Sequence, residues 1–328
     1  MRVLITGAGG YIGSLLTERL LKDPSVRHVV ATDQTLSTAL PTWSPTNKLT
    51  VEQGRLEDDA FIASLSRHLP LDAVIHTAFR MQAGYGKQGP IVAATNIQSC
   101  RNLFRYCFDH GIGRLLYISS AAAYGAMAGN RISHLFQEDE PLREQAYPYG
   151  VQKRLVEELL QTMYAEGTPL TRVVVVRPCS VTGPRGQRSP SKALSLIGFL
   201  RRLLPLIPEV SPEWTRQFLH EEDFVQATRV LLSADLKNYE VFNLAPGDYM
   251  TASDMARVLN KRVVRVPAGL VEFAFGAIWH ITRGRVATSP GAINSFRYPI
   301  NMDGTKITRT GFRYRYKSAD GLLAKDPS

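Results

Sequence analysis

The 328-residue sequence has little cysteine and no long apolar run. Its three cysteines, Cys100, Cys107 and Cys179, show neither metal-ligand spacing nor a framework of pairs. That sets aside a bound metal and a disulfide scaffold, and fits a reducing, cytoplasmic compartment. No stretch approaches the ~20 apolar residues that cross a bilayer. Met1 leads straight into an apolar strand, so neither a membrane span nor a secretory signal is expected. Repeats and low-complexity tracts are also absent. The net charge of +10 comes without a dense basic tract or an RNA-binding motif, and the cluster Arg309, Arg313, Arg315 and Lys317 reads as solvated surface. Nucleic acid is therefore not expected as a partner. An anionic small-molecule substrate or a plain solvated surface accounts for the charge.

What the chain does contain is a regular alternation of apolar strands and amphipathic helices. Arg2 to Thr6 reads as a strand, Gly7-Ala8-Gly9-Gly10 as a tight turn, and Tyr11 to Leu21 as a helix with Ile12, Leu15, Leu16 and Leu20 at helical spacing. Gly7 permits the turn, Gly10 lets the backbone approach a pyrophosphate, and Gly13 lets the helix pack on the strand, its free N–H groups facing the phosphates. Twenty residues after Gly13, the strand Val29 to Thr32 ends in Asp33, whose carboxylate suits both ribose hydroxyls of an adenosine and repels a 2′-phosphate. This favours NAD over NADP.

Further strands are expected near Leu49 to Glu52, at Ala73 to His76, at Leu115 to Ser119 and at Arg172 to Val176. Helices are expected over Asp58 to His68, Val92 to Asp109 and Tyr149 to Glu166. Continuous apolar strands such as Val173-Val174-Val175-Val176 belong in a parallel sheet covered on both faces. His76 reads as a packed histidine, and Cys100 and Cys107 as core residues. With 44% apolar residues, the chain can build the cores of one doubly wound domain and a smaller second one.

Tyr149 and Lys153 are four residues apart and project from one helix face. A free phenol titrates near pH ~10, and an adjacent fixed positive charge brings it towards working pH, so the pair is expected to act as a base on an alcohol. Ser120 stands at the carboxyl end of its strand, where doubly wound folds place ligands.

Together, Thr6-Gly7-Ala8-Gly9-Gly10-Tyr11-Ile12-Gly13, Ser120 and Tyr149-Gly150-Val151-Gln152-Lys153 resemble the extended short-chain dehydrogenase/reductases, the group containing the NAD-dependent sugar epimerases and dehydratases. The resemblance implies an α/β fold, a Rossmann-type doubly wound parallel sheet with a smaller, discontinuous C-terminal substrate domain. Residues 1–180 would form the NAD-binding part, with a strand returning near 241–244, and 181–328 mainly the substrate part. It implies catalysis by Ser120, Tyr149 and Lys153. The cofactor site would comprise Gly7, Gly10, Tyr11, Ile12, Gly13, Asp33, Leu56, Thr77, Ala78, Asn96, Tyr149, Lys153 and Pro178, and the substrate site Ala122, Ser180 and Arg216. A homodimer formed through the helices at 92–109 and 149–166 is implied as well.

The family's dehydratases carry an acidic pair after the catalytic Ser/Thr, and its 3,5-epimerases a cysteine. This chain has Ala121 and Ala122, which leaves reversible oxidation at one carbon. The segment Arg216-Gln217-Phe218-Leu219-His220-Glu221-Glu222-Asp223 resembles the diphosphate-binding stretch of sugar-nucleotide enzymes, so a 4-epimerase of a nucleotide sugar is expected, with an alcohol or sterol-like dehydrogenase as the alternative and, against the complete set of Ser120, Tyr149 and Lys153, a non-catalytic NAD-binding module as the third. Three departures stand against the first: Ser180 in place of an asparagine, Arg55 in place of an aspartate, and no arginine about ten residues before Asp303. Arg283, Arg285 and Arg297 are the candidates to replace it. The loops Gly84 to Pro90 and Gly125 to Pro148 are expected to border the site. The apolar stretch 268–282 is expected to be a buried helix or an apolar substrate wall, and less readily a membrane-surface contact.

Overall fold

The computed structural model describes residues 1–35, 47–82, 84–167, 170–188, 206–286 and 288–325. Pro190 and Pro205, which as helix breakers are expected to interrupt short helices after Pro184, lie outside the described residues.

Seven strands form one parallel sheet: β1 (Arg2–Thr6), β2 (His28–Asp33), β3 (Leu49–Gln53), β4 (Ala73–His76), β5 (Arg114–Ile118), β6 (Arg172–Pro178) and β7 (Tyr239–Leu244). Their order across the sheet is β7-β6-β5-β4-β1-β2-β3. The expected return of residues 241–244 to the sheet is thus present, as an edge strand registered on β6 with Phe242 opposite Val176. The direction of strand succession reverses at β1 and β4, and the crevice at the carboxyl ends of these strands is where such a sheet takes a ligand.

The period-two alternation of strand side chains divides the core into two layers. Val3, Ile5, Val174 and Val176 face one layer, covered by α1 (Tyr11–Leu21) and by α4 (Glu221–Ser233). Leu4, Val173 and Val175 face the other, covered by α2 (Gln88–Asp109) and α3 (Pro148–Gly167). Cys100, Cys107 and His76 are buried in or beside the second layer, as expected. Helix α2 begins four residues earlier than the apolar periodicity indicates, at Gln88 rather than Val92. Pro90 therefore falls in the first turn, where its missing N–H costs no intrahelical bond.

After β6 the chain leaves the sheet and builds a third core around Trp214, Phe218, Met250, Ile293 and Phe296. Helix α5 (Ala268–Ile281) packs on this core through Val271 and Phe275. It is not the buried helix that its composition suggests, since Trp279 is its sole buried residue. Both faces are apolar, and periodicity alone does not tell which of two apolar faces is covered. Arg309, Arg313, Arg315 and Lys317 are exposed, in line with a solvated cluster. No helix among the described residues is long and apolar enough to cross a membrane.

Candidate active site

A cleft of about 1470 Å³ opens between the carboxyl ends of the strands and the third core. Pockets for one small ligand hold roughly 300–1,000 Å³, so this one has room for a dinucleotide and a substrate together.

Its first wall is the glycine turn between β1 and α1. Gly7 adopts φ +73°, and a Cβ there would lie 2.5 Å from the Ala78 nitrogen; a Cβ on Gly13 would lie 2.1 Å from the Gly7 carbonyl oxygen. These contacts hold the β1–α1 turn against the end of β4, where the Thr77 hydroxyl donates to the Thr6 carbonyl at 2.7 Å. No side chain caps α1 and its first turn carries no acid, which leaves that end electropositive towards the cleft. Asp33 accepts the Gly9 N–H at 2.9 Å and the Thr35 N–H at 3.2 Å, fixing the carboxylate beside the turn. Uncapped amides, a backbone with no room for Cβ atoms and a carboxylate one ribose away fit the pyrophosphate and adenosine of NAD. Tyr11 closes this end. Its hydroxyl donates to Glu221 at 2.5 Å, and Glu221 also accepts the Arg185 and Gly186 amides. Burial, then the Glu221 charge, pushes the Tyr11 phenol well above its ordinary value, so it stays a donor.

Tyr149 and Lys153 rise from α3 into the middle of the cleft, and Ser120 faces them from the end of β5. Ser120 and Tyr149 share a hydrogen bond. Lys153 donates to the Ile118 carbonyl at 2.7 Å and sits 3.9 Å from the Phe79 ring centroid, but 5.9 Å from that of Tyr149. The expected lowering of the phenol by the lysine is absent here: burial raises the Tyr149 pKa, and the Ser120 hydrogen bond offsets only part of this. The reason is geometric, since the ammonium is directed at Ile118 and Phe79. Lys153 is itself shifted, its pKa pushed down by burial to about 8. Helix α3 is held in place by a buried ion pair, Arg177 Nη2 to Glu157 at 2.7 Å, with Ser119 donating to the same carboxylate.

The remaining residues read from the sequence divide into two groups. Ile12, Thr77, Ala122, Pro178, Ser180 and Arg216 line the cleft with Gly7, Gly10, Tyr11, Gly13, Ser120, Tyr149 and Lys153, whereas Asp33 stands just outside the lining, against the glycine turn. Asn96 acts one step back: its amide oxygen accepts the Arg80 N–H at 2.9 Å and its amide nitrogen donates to the Arg80 carbonyl, tying down the Phe79–Arg80 loop over Lys153. Ala78 likewise packs behind Gly7. Leu56 is the exception, because its side chain is buried in the α2 core layer and does not line the cleft. Both loops expected to border the site do so, through Gly84, Tyr85, Ala126, Glu144 and Tyr147.

Arg216 donates to the Ser295 carbonyl at 3.1 Å and lies 5.0 Å from the Phe296 ring centroid. Of the three arginines named as substitutes, Arg283 and Arg285 line the cleft, whereas Arg297 is turned towards Glu272 at 3.5 Å. Phe79, Gln34 and Arg185 also line the cleft and were missed by sequence reading. Phe79 could have been reached from Thr77-Ala78 immediately before it, and Arg185 from the Gly183-Pro184 turn that precedes it.

A sequence profile of the NAD dependent epimerase/dehydratase family matches residues 3–245. The UDP-glucose 4-epimerase of Erwinia amylovora is 24% identical over 287 residues, covering 80% of this chain and 82% of that protein. The N-acetyl-alpha-D-glucosaminyl-diphospho-ditrans,octacis-undecaprenol 4-epimerase of Escherichia coli O157:H7 is 21% identical over 329 residues, covering 98% and 92%. Among solved structures, the UDP-glucuronic acid 4-epimerase of Bacillus cereus, in complex with UDP-glucuronic acid and NAD, superimposes with a TM-score of 0.74 at 22% identity over 99% of this chain and 97% of that one. With its seven-stranded parallel sheet and its glycine turn, the chain belongs to the NAD-dependent epimerase/dehydratase family, the extended short-chain dehydrogenase/reductase enzymes.

Proposed function

We propose that the protein is a 4-epimerase of a sugar carried on a nucleoside diphosphate. The observation that carries this reading is one cleft holding Ser120, Tyr149 and Lys153 on one side and Arg216, Arg283 and Arg285 on the other. Such a cleft presents a proton-transfer set to a sugar hydroxyl and cations to a diphosphate. Tyr149 takes the hydroxyl proton, Ser120 donates a hydrogen bond to the carbonyl oxygen as it forms, and Lys153 supplies the local positive charge. When bound, NAD provides the hydride acceptor. Ala121 and Ala122 offer no acid or base for eliminating water, so the ketone is returned to an alcohol of either configuration. Residues 1–180 with β7 hold the cofactor, and the third core after residue 181 holds the substrate.

A panel of UDP-, GDP- and dTDP-sugars, each incubated with the protein and assayed by NMR for the C4 epimer, tests this. Conversion of one of them without net NADH is expected. Stoichiometric NADH from a simple or sterol-like alcohol, with no nucleotide sugar bound, would leave a dehydrogenase instead. A second reading within the epimerases has its own support: α5 exposes an apolar face beside the mouth of the cleft, and one relative is named for a sugar on undecaprenyl diphosphate. A polyprenyl-diphosphate sugar belongs in the same panel for that reason.

Asp33 is proposed to hold the adenosine ribose, so NAD should bind more tightly than NADP, and Asp33→Ala should shrink the gap by about tenfold or more, a loss on the order of 1.4 kcal/mol. Calorimetric titration with both cofactors decides, and a wild-type preference for NADP would reject the role. A homodimer through α2 and α3, where Ile91 and Leu155 are exposed, is proposed as well. Light scattering should return twice the 36.4 kDa chain mass, and a monomer mass at all concentrations would exclude it.

A further inference from the structure

Helix α5 carries four of the large apolar side chains left exposed among the described residues. Leu270 is 59% exposed, Phe273 75%, Ile278 39% and Ile281 82%. At about 100° per residue these four, with Ala274 and Ala277, occupy one arc of roughly 140° that contains no polar residue. The opposite side of the helix, Val271, Phe275 and Trp279, is the one that packs on the protein. Glu272, the helix's one acidic residue, lies outside the arc and faces Arg297. A folded protein rarely exposes a contiguous apolar surface of this kind without a partner for it.

Charge and position say what the partner is. The arc lies between two basic ends: Arg262 and Arg265 on the strand that leads into the helix, and Arg283 and Arg285 just beyond it, all four exposed. Arg265 pairs with Glu209, while Arg262, Arg283 and Arg285 have no ion pair among the described residues. Apolar side chains set beside cations match an anionic bilayer, in which the former enter the acyl boundary and Arg262 and Arg265, both outside the cleft, meet phosphate headgroups, while Arg283 and Arg285 are taken up by the substrate diphosphate of the proposed reaction. A second copy of the chain fits poorly, because pairing the arc with itself in either direction brings arginines against arginines. The helix also belongs to the rim of the cleft. The chain turns back through Arg283 (φ 48°) and Gly284 (φ 72°), Gly284 packs on the Trp279 ring, and Tyr85 reaches across to His280 at 2.9 Å. Tyr85, Arg283, Gly284 and Arg285 all line the cleft.

We propose that α5 docks the protein on an anionic lipid bilayer, the Leu270, Phe273, Ile278 and Ile281 face inserted and the mouth of the cleft held at the membrane surface. The docking goes beyond the epimerase reading and does not depend on it, because neither Tyr149 nor Ser120 takes part.

The test is flotation of the full-length protein with vesicles of phosphatidylcholine alone or of phosphatidylcholine with phosphatidylglycerol. Binding to the anionic vesicles is expected, weakened by added salt, and reduced by at least about tenfold in Phe273→Asp/Ile281→Asp. Both side chains are largely in water and outside the cleft, so the double variant should keep the wild-type circular dichroism spectrum and NAD affinity, which separates lost docking from lost folding. Absence of binding to anionic vesicles, or equal binding by the double variant, would overturn the proposal. So would a dimer that dissociates in the double variant, since a second copy would then be the cover. No outcome of this test bears on turnover, so its failure leaves the proposed reaction untouched.

Discussion

Replacing Tyr149 by Phe should lower kcat by about 10²–10⁴-fold while leaving NAD affinity and folding nearly unchanged, the loss expected when a positioned proton-transfer group is removed. The hydroxyl is the only atom lost. The ring keeps its edge-to-face contact with Phe79 at 5.7 Å between centroids, and Ser120, released from its hydrogen bond to the phenol, still accepts from the Ala122 N–H at 3.2 Å. The cleft therefore keeps its shape and loses one proton carrier. The substrate for the assay is whichever diphosphate sugar the panel identifies, and calorimetric titration with NAD serves as the control. An unchanged kcat would remove Tyr149 from the mechanism; a kcat loss accompanied by a comparable loss of NAD affinity would move its role from chemistry to cofactor binding.

The parts of this site that were legible in the sequence are those where local backbone chemistry restricts the residue type. Gly7 and Gly13 are of this kind, because positive φ at one and a carbonyl 2.1 Å from a would-be Cβ at the other tolerate no side chain. The helical spacing of Tyr149 and Lys153 is another, as is the return of β7, whose Val241-Phe242-Asn243-Leu244 sets three apolar residues around one asparagine. Features set by long-range packing were not legible. Nothing in the chain near Lys153 signals that its ammonium faces the Phe79 ring, 74 residues earlier in sequence, rather than the phenol on its own helix. Leu56 looks like a cofactor contact by its place after β3, yet its side chain, three residues past the strand end, is drawn into the α2 layer. Helix α5 is the clearest case. Its two apolar faces predict burial on both sides, and only the position of the third core decides that one of them stays in water.

The cost of the site is concentrated at Lys153, and its removal should raise stability and abolish activity in the same variant. The side chain is 3% exposed, its ammonium is answered by one carbonyl and by aromatic rings rather than by a carboxylate in contact, and burial holds its pKa at about 8. An unfolded lysine titrates near ~10.4, so the unfolded chain binds this proton more tightly than the fold does. Below about pH 8 the amine is charged in both states and the full penalty applies, on the order of 3 kcal/mol at about 1.4 kcal/mol per pKa unit. Between about 8 and ~10.4 the folded state has shed the proton first, and stability rises with pH. Lys153→Met fills the same volume without a charge. It loses the hydrogen bond to Ile118 and the ring contact with Phe79, together about 1–2 kcal/mol. A net gain of about 1–2 kcal/mol at pH 7 remains, and it should vanish as the pH approaches 10, where the wild-type amine is neutral in the fold. Thermal unfolding of the cofactor-free proteins at pH 7 and near pH 10 measures both, and the same preparations should show turnover reduced by about 10²-fold or more and weaker NAD binding. A Lys153→Met protein less stable than wild type at pH 7 would mean that the ammonium is held by more than the carbonyl and rings around it, and that the fold, as well as the chemistry, depends on its charge.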